Sequence, residues 1–417
     1  MGLMRRAVIA GGWRTPFVKA GTDLASADVL ELATVATAET LARTETTAST
    51  VDEIIYGNVS RPVAYHNLAR EIVLALDLPT SIYASSVGMA CASACVAITD
   101  ASDHIAVGTA DAVLAGGAES LSNVPITYSP SLARALVRAS QSKTLPQKIS
   151  SFAGIKLSDL APVAPGIRET STGLSMGESA ERMAAINGIS REEQDRWALR
   201  SHTLAAQGTA DGRLGKEIVS VRREGGRVLS DDTHIRRDST LERLGSLRPV
   251  FDRAHGTITA GNASPLTDGA ATVLLLSEER ARAEGRTGLV AIRAYAYAAV
   301  DPADQLLIAP AYAIPIALKR AGIALSDVDL IEMHEAFAAQ VLSTFRVLER
   351  SGAGEIDEDR VNVMGGSIAL GHPFGATGAR ILTTLANEMR RRDVQFGLAS
   401  VCAAGGNGAA IVLELLR

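Results

Sequence analysis

The 417-residue sequence predicts a layered α/β protein with a mixed or mostly parallel sheet. Three observations predict it. Strand and helix patterns alternate at both ends of the chain, the two ends resemble one another, and the stretch between them has a different composition.

The elements follow in order. "RRAVIAGGW" reads as a strand entering a turn, "SADVLELATVATAETLARTE" as a helix and "VDEIIYGNV" as a buried strand. "NLAREIVLALDL" carries helical periodicity. A helix follows Cys91 to about His104, and "DAVLAGGAES" returns as a strand. Near the C-terminus, "AYAIPIALKRAGIALSDVDLIEMHEAF" gives helix, Ser-Asp and strand, as "ETLARTETTASTVDEIIYGNV" gives helix, Ser-Thr and strand earlier. Val51-Asp52 matches Val328-Asp329, and Asn58 and His334 lie near the ends of the matched strands. This weak repeat implies a duplicated α/β unit with two facing halves, although a common α/β pattern can also coincide by chance.

Residues 121–258 break the rhythm. They are rich in Ser, Pro and basic residues, then helical through "SAERMAAINGISREEQDRWALRSHTLAAQ", where Ser190 and Glu193 form a capping box. The expected organisation is a first half over 1–120 plus 259–283, an inserted domain over 121–258, and a second half over 284–417.

Composition bounds the rest. An apolar content of 47% against 21% charged residues describes a globular chain with a large core, long enough for two or three packed units. A net charge of −5 gives no basis for wholesale nucleic-acid binding. Three cysteines do not make a disulfide framework. The brief apolar stretch before Trp13-Arg14 does not predict a signal peptide, Gly2 lacks the Ser or Thr that myristoylation wants where Arg6 stands, and no apolar run reaches the ~18 residues of a span. The expectation is a reduced, soluble, cytoplasmic protein.

Four turns carry candidate chemistry. Cys91 and Cys95 stand four apart, but a zinc site needs about four ligands and no Cys or His nearby supplies them. His334 in "MHEAFAAQ" lacks the second histidine of HExxH. Gly365-Gly366 and the glycines at 371, 375 and 378 can cradle a phosphate, yet neither a GK[ST] nor a strand-GxGxxG context accompanies them. Alone, each histidine is ordinarily a core or surface residue. Together the turns make a different proposal. A cysteine at a helix start gains from unpaired N–H groups that favour thiolate. His372, in a rigid Gly-His-Pro turn, can deprotonate it, and Cys402, before a glycine turn, can shuttle a proton at carbon. Two cysteines and two histidines, each on a turn ending a strand, suit covalent acyl transfer with carbanion chemistry.

These residues resemble the thiolase family along essentially the whole chain. The resemblance is carried by "RTPF" at 14–17, "AGGAESLSNVP" at 115–125, "MGESAERMA" at 176–184, "TAGNASPLTDGAA" at 259–271, "GGSIALGHPFGATG" at 365–378 and "CAAGGNG" at 402–408. "HEAF", "DPADQLL" at 301–307 and "GHPFGATG" are most similar to the β subunit of the fatty-acid-oxidation trifunctional complex and its bacterial relatives. The resemblance implies two βαβαβαββ halves in a five-layered α/β/α/β/α body, with a loop domain that binds CoA and covers the active site.

It also implies residue roles. Cys91 matches the acyl-accepting nucleophile, His372 the base that activates it and also helps bind the thioester oxygen, and Cys402 the acid/base at the substrate α-carbon. His334 stands where many thiolases carry an Asn that holds a water in an oxyanion hole. The backbone N–H groups of Cys91 and Ala404 would form the second such hole. Ala94 replaces a frequent Gly, and Cys95 matches no catalytic position. Ser264 would contact the pantetheine and Arg236 the adenine end of CoA, with Met176, Ala336 and Phe337 lining the tunnel. Ser175 stands where some relatives have a CoA-contacting His. No metal and no permanently bound cofactor is implied; CoA is a co-substrate.

The implied activity is a degradative 3-ketoacyl-CoA thiolase, with medium or long chains favoured. The alternatives are a biosynthetic acetoacetyl-CoA thiolase running the reverse Claisen condensation, a ketoacyl synthase, which would use two histidines and no cysteine like Cys402, and a non-catalytic lipid-binding or scaffold subunit. Implied partners are acyl-CoA and CoA, a second copy in a homodimer or homotetramer, and a hydratase/3-hydroxyacyl-CoA dehydrogenase subunit. Residues 129–156 mix Leu, Ile and Phe with Arg134, Arg138, Lys143, Lys148 and Lys156. That pattern suits peripheral membrane or partner contact, or equally a solvated helix.

Overall fold

The structure, a computed structural model, describes residues 5–163, 166 and 168–417. Gly2 lies outside the described residues. In the first half, β1 (Ala7–Arg14) and β2 (Val18–Lys19) lead to α1 (Val29–Arg43), β3 (Glu53–Gly57), α2 (Leu68–Ala75), β4 (Tyr83–Val87), α3 (Ser93–Val107) and β5 (Ala112–Glu119). Side chains start these helices: Asp28 accepts from the Glu31 N–H at 2.8 Å, and Asn67 from the Arg70 N–H at 3.2 Å. The middle of the chain holds α4 (Pro130–Gln141), α5 (Leu145–Ser150), α6 (Met176–Asn187), α7 (Arg191–Ala210), the hairpin β6 (Val221–Arg222) and β7 (Val228–Leu229), and α8 (Leu241–Gly245). The predicted capping box is formed, with Ser190 N–H donating to Glu193 at 2.7 Å and Glu193 N–H to Ser190 Oγ at 3.2 Å.

The chain returns through β8 (Thr267–Ser277) and α9 (Glu278–Ala283). The second half is β9 (Val290–Ala299), α10 (Pro302–Gln305), α11 (Pro310–Ala321), β10 (Leu330–Met333), α12 (Ala338–Arg350), α13 (Ser367–Leu370), α14 (Thr377–Arg392), β11 (Phe396–Ala403) and β12 (Asn407–Leu415).

The strand order β10-β11-β12-β9-β1-β8-β5-β3-β4 displays the duplication. β3 runs parallel to β5, and β5, β8 and β1 are antiparallel neighbours. β10 likewise runs parallel to β11, and β11, β12 and β9 are antiparallel neighbours. The seam is short: Val8 pairs with Ala291 and Ile9 with Val290. The matched aspartates do the same work in each half. Asp52 accepts from the N–H groups of Asp111 and Ala112 at the start of β5, and Asp329 from those of Gln395 and Phe396 at the start of β11.

Helices complete five layers. Leu32, Ala36 and Ile72 pack α1 and α2 on the outer face of the first half. Ile314, Leu318 and Leu348 pack α11 and α12 on the outer face of the second. Ala97, Ile98, Ile381 and Leu385 fill the middle, where α3 meets α14. That meeting is tight: a Cβ on Gly378 would stand 2.6 Å from Cys95 Sγ. Cys95 is therefore a packing residue, buried against the neighbouring helix. β3 pairs with β4, and the corresponding place beside β10 is held by the parallel bridge Ile331↔Val361. The segment entering α14 is thus the counterpart of the segment entering α3, so His372 and Cys91 face each other from equivalent positions of the two halves.

The middle segment is anchored by charge. Fully buried Arg14 donates to both Asp232 oxygens at 2.7 and 2.8 Å and to Glu217 at 2.9 Å. A bidentate guanidinium–carboxylate pair of this kind fixes orientation as well as charge, which accounts for the arginine of "RTPF".

Candidate active site

Cys91 lies two residues ahead of α3. Ser93 shapes its turn, accepting from the Met89 N–H at 2.8 Å and donating to the Ala90 carbonyl at 2.7 Å. Between them Ala90 holds φ at +44°, a left-handed conformation costing about 1–2 kcal/mol in a non-glycine residue. The turn aims the thiol at His372, whose Nε2 lies 3.1 Å from Sγ. The helix-start donors are opposed at this thiol. Burial pushes it up to about 12, with Glu119 adding to the rise, and the N–H groups of Cys91 and Ala404 offset only part of it. His372 is held down to about 3 by burial and by the Arg380 charge, so it is a neutral imidazole at ordinary pH. Both shifts favour a resting pair of thiol and neutral base.

His372 does not end a strand, as the sequence pattern had it; it stands between α13 and α14. Its N–H donates to the Pro265 carbonyl at 3.2 Å, and its Nδ1 is 2.7 Å from Thr377 Oγ1. His334 does follow its strand, β10, with its N–H donating to the Ser400 carbonyl at 2.8 Å. It is fully buried, its Nδ1 is 2.8 Å from Ser367 Oγ, and its ring centroid is 4.0 Å from that of His372. Donor atoms of Cys91, His334 and His372 all lie within 4.8 Å of one another. Such donors are metal-competent, but a closed zinc site needs about four, and the 3.1 Å thiol–imidazole contact is already suited to proton transfer.

Cys402 sits near the end of β11, opposite Gly408, and is buried. Burial first, then the neighbouring Cys91, raises its thiol well above the ordinary range. Ala404 follows in the glycine turn, its N–H directed at the Cys91 sulfur. The four sequence-selected side chains therefore converge, with Ala404 beside them.

Glu335 holds the histidine segment in place. Its buried carboxylate accepts from Trp197 Nε1 at 3.0 Å, Ser201 Oγ at 2.8 Å, Asn362 Nδ2 at 2.7 Å and the Ile368 N–H at 3.1 Å. The residues expected to meet CoA form a second group. The Ser264 N–H donates to the Ala336 carbonyl at 3.0 Å, and Ala263 bridges Phe337. The rings of Phe337 and Phe251 meet edge-on at 6.0 Å, and Met176, first residue of α6, is half-buried in the same apolar cluster. Arg236 is exposed, its N–H donating to Nδ1 of His202 on α7 at 3.2 Å. Ser175 is committed to capping α6, accepting from the Glu178 N–H at 3.2 Å.

Sequence reasoning missed Thr377, Ser367, Arg380 and Glu332. Arg380 is fully buried and donates to Glu332 and to Ser367 Oγ, each at 3.0 Å. The available signal was spacing: Thr377, Arg380 and Thr384 share one helical face of α14.

Comparison with known proteins adds the following. The family model described as thiolase, N-terminal domain, matches residues 7–279, and that described as thiolase, C-terminal domain, matches residues 286–415. A 3-ketoacyl-CoA thiolase of Yersinia pestis (strain Pestoides F) is 46% identical over 425 residues, covering 98% of this chain and 97% of the relative. The crystal structure of human mitochondrial 3-ketoacyl-CoA thiolase superposes with a TM-score of 0.87 at 32% identity, covering 100% of both chains. That of the Bacillus anthracis acetyl-CoA acetyltransferase gives 0.86 at 34%, again covering 100% of both.

Proposed function

The chain belongs to the thiolase family, and from that premise we propose how its residues carry out the reaction. It is an acyltransferase, a 3-ketoacyl-CoA thiolase that cleaves a 3-ketoacyl-CoA with CoA into acetyl-CoA and an acyl-CoA two carbons shorter. The observation that carries the residue assignment is the 3.1 Å contact between Cys91 Sγ and His372 Nε2.

Cys91 attacks the C3 carbonyl while His372 takes the thiol proton. The C2–C3 bond then breaks, its electron pair leaving as the acetyl-CoA enolate, which Cys402 protonates at C2. The shortened acyl group remains as a thioester on Cys91. The Cys402 thiolate deprotonates incoming CoA, whose sulfur attacks this thioester, and the released Cys91 thiolate recovers its proton from His372. Splitting a difficult carbon–carbon cleavage through a covalent intermediate is what the nucleophile offers. His334 serves one oxyanion hole and the N–H groups of Cys91 and Ala404 the other; donors already in place are worth about 3–4 kcal/mol each at such sites.

Residues 121–258 act as the cover of the site. Ser264, Ala336, Phe337 and Met176 hold the pantetheine and acyl chain, and Arg236 meets the adenine end. CoA enters and leaves as a co-substrate, with no group bound permanently. The degradative direction, as in fatty-acid β-oxidation, is supported by the 46% identity, over nearly the whole of both chains, to a 3-ketoacyl-CoA thiolase of Yersinia. The reverse condensation is the second reading. No described helix is long and apolar enough to cross a membrane, and with bacterial relatives at full length this supports a cytoplasmic place.

β4 is the outermost strand of its half, with Tyr83 exposed, which supports pairing with a second copy in a homodimer or homotetramer. On α4 and α5 and just beyond them, Val137, Leu145, Ile149 and Leu157 are exposed among Arg134, Arg138, Lys143, Lys148 and Lys156. This face supports contact with a hydratase/dehydrogenase subunit or an anionic membrane. Co-purification and vesicle flotation test the two, and failure of both removes them.

The activity is tested by following 3-ketoacyl-CoA substrates of graded chain length with CoA. Turnover is expected on medium and long chains. Cys402→Ala is expected to slow cleavage strongly while leaving Cys91 open to acylation by a simple acyl-CoA. Absence of turnover at every chain length would overturn the reading.

A further inference from the structure

Two neutral histidines 4.0 Å apart serve one site, and their chemistry depends on which nitrogen carries the proton. The hydrogen-bond networks behind them answer this differently. Thr377 Oγ1 donates to the Pro373 carbonyl at 2.9 Å, so toward His372 Nδ1, at 2.7 Å, it acts as acceptor. His372 therefore carries its proton on Nδ1, leaving a bare Nε2 lone pair facing the Cys91 thiol.

Ser367 is placed the other way. Its Oγ accepts from Arg380 Nη2 at 3.0 Å, and Arg380 is itself held by Glu332 at 3.0 Å. The guanidinium has only protons to give. The Ser367 hydroxyl proton has one acceptor among the described residues, His334 Nδ1 at 2.8 Å. His334 therefore carries its proton on Nε2, the nitrogen that is buried without a hydrogen-bond partner among the described residues. With Nδ1 turned to Ser367, Nε2 is the nitrogen left to the site. Reversing this tautomer would leave a buried hydroxyl proton unsatisfied, at a cost of about 1–3 kcal/mol.

We propose that Thr377 on one side and the Ser367–Arg380–Glu332 chain on the other are positioning residues that hold His372 and His334 in opposite tautomers, making the first a base toward Cys91 and the second a hydrogen-bond donor toward the substrate oxygen. The proposal deepens the thiolase reading and rests on it. It assigns the division of labour to hydroxyls that touch no substrate. Burial first, then for His334 the neighbouring His372, and for both rings the Arg380 charge, favour the neutral form of each, so the tautomers, and not the charges, distinguish them.

The test is nitrogen-15 spectroscopy of histidine-labelled full-length protein at neutral pH, with assignment by His334→Asn and His372→Asn, alongside steady-state kinetics. The expected result is an Nδ1–H tautomer for His372 and an Nε2–H tautomer for His334. Ser367→Ala should release the His334 tautomer and lower kcat about 10- to 100-fold with KM little changed. Thr377→Val should disturb His372 alone and slow Cys91 acylation by a similar factor, and Thr377→Ser, which restores the hydroxyl, should recover most of it. The same tautomer on both rings, or an unchanged His334 signature in Ser367→Ala, would overturn the proposal. Loss of the thiolase reading would look different: the wild-type protein would show the opposite tautomers but no turnover.

Discussion

Replacing Glu335 by Gln tests whether the acidic residue of "HEAF" is structural. Its two oxygens receive the side-chain donors of Trp197, Ser201 and Asn362 and the N–H of Ile368. Glutamine keeps the shape but turns one oxygen into an NH2 group. If the amide faces Ser201 and the Ile368 N–H, donors confront donors; if it faces Trp197 and Asn362, the same occurs there. Either way two buried donors lose a charged acceptor, at about 1–3 kcal/mol each. Part of this is recovered by hydroxyl rotation when Ser201 is the neighbour. The expected destabilisation is therefore about 2–4 kcal/mol, a large share of the stability of an ordinary domain. Gly366 lies against this carboxylate, 2.2 Å from where its Cβ would reach, so the segment carrying Ser367 should loosen too. Urea unfolding at fixed protein concentration reads the first effect and kcat the second. A midpoint and an activity both equal to wild type would refute the structural role given to Glu335.

Three further outcomes are expected. Cys95→Ala should keep full activity at a cost of about 1–2 kcal/mol, whereas Gly378→Ala should cost more and be only partly relieved by Cys95→Ala, because the Cys95 backbone N also stands 2.8 Å from the new Cβ; thermal melts of the three variants check this. Arg14→Met should strand Asp232 and Glu217 in the interior and destabilise by about 3–5 kcal/mol, read by denaturation and by faster proteolysis of the middle segment. Because burial pushes the Cys91 thiol up to about 12 and holds His372 near 3, alkylation of Cys91 by iodoacetamide should accelerate with pH across 6–9. A rate already at its plateau at pH 5 would instead show a preformed thiolate–imidazolium pair.

Much of the fold was legible because its signals are local. The aspartates of the two "VD" strands, the Ser190 capping box and the strand–helix alternation each depend on a few neighbouring residues. The catalytic cluster was legible for another reason: Cys91, His372 and Cys402 stand in glycine-rich turns whose residue types have few other uses together. Two readings met long-range physics. Thiolate character at Cys91 follows from a helix start in water, but burial pushes the thiol up and outweighs the N–H groups of Cys91 and Ala404. His372 was placed at a strand end, whereas it stands between α13 and α14 and carries an isolated parallel bridge to Leu266 in place of a strand. Thr377, Ser367 and Arg380 were passed over because a buried arginine and two hydroxyls inside helical or glycine-rich runs look like ordinary surface residues until β10 and the His372 turn are folded against them.

The central claim is that Cys91 carries the acyl group. It is tested most directly by mixing the protein with a medium-chain 3-ketoacyl-CoA without added CoA and mapping the modified peptide by mass spectrometry. The account predicts one thioester adduct, on Cys91, with the mass of an acyl group two carbons shorter than the substrate's. It should be discharged by CoA and absent from Cys91→Ala, which should not turn over. An adduct on another residue, or turnover by Cys91→Ala, would contradict it.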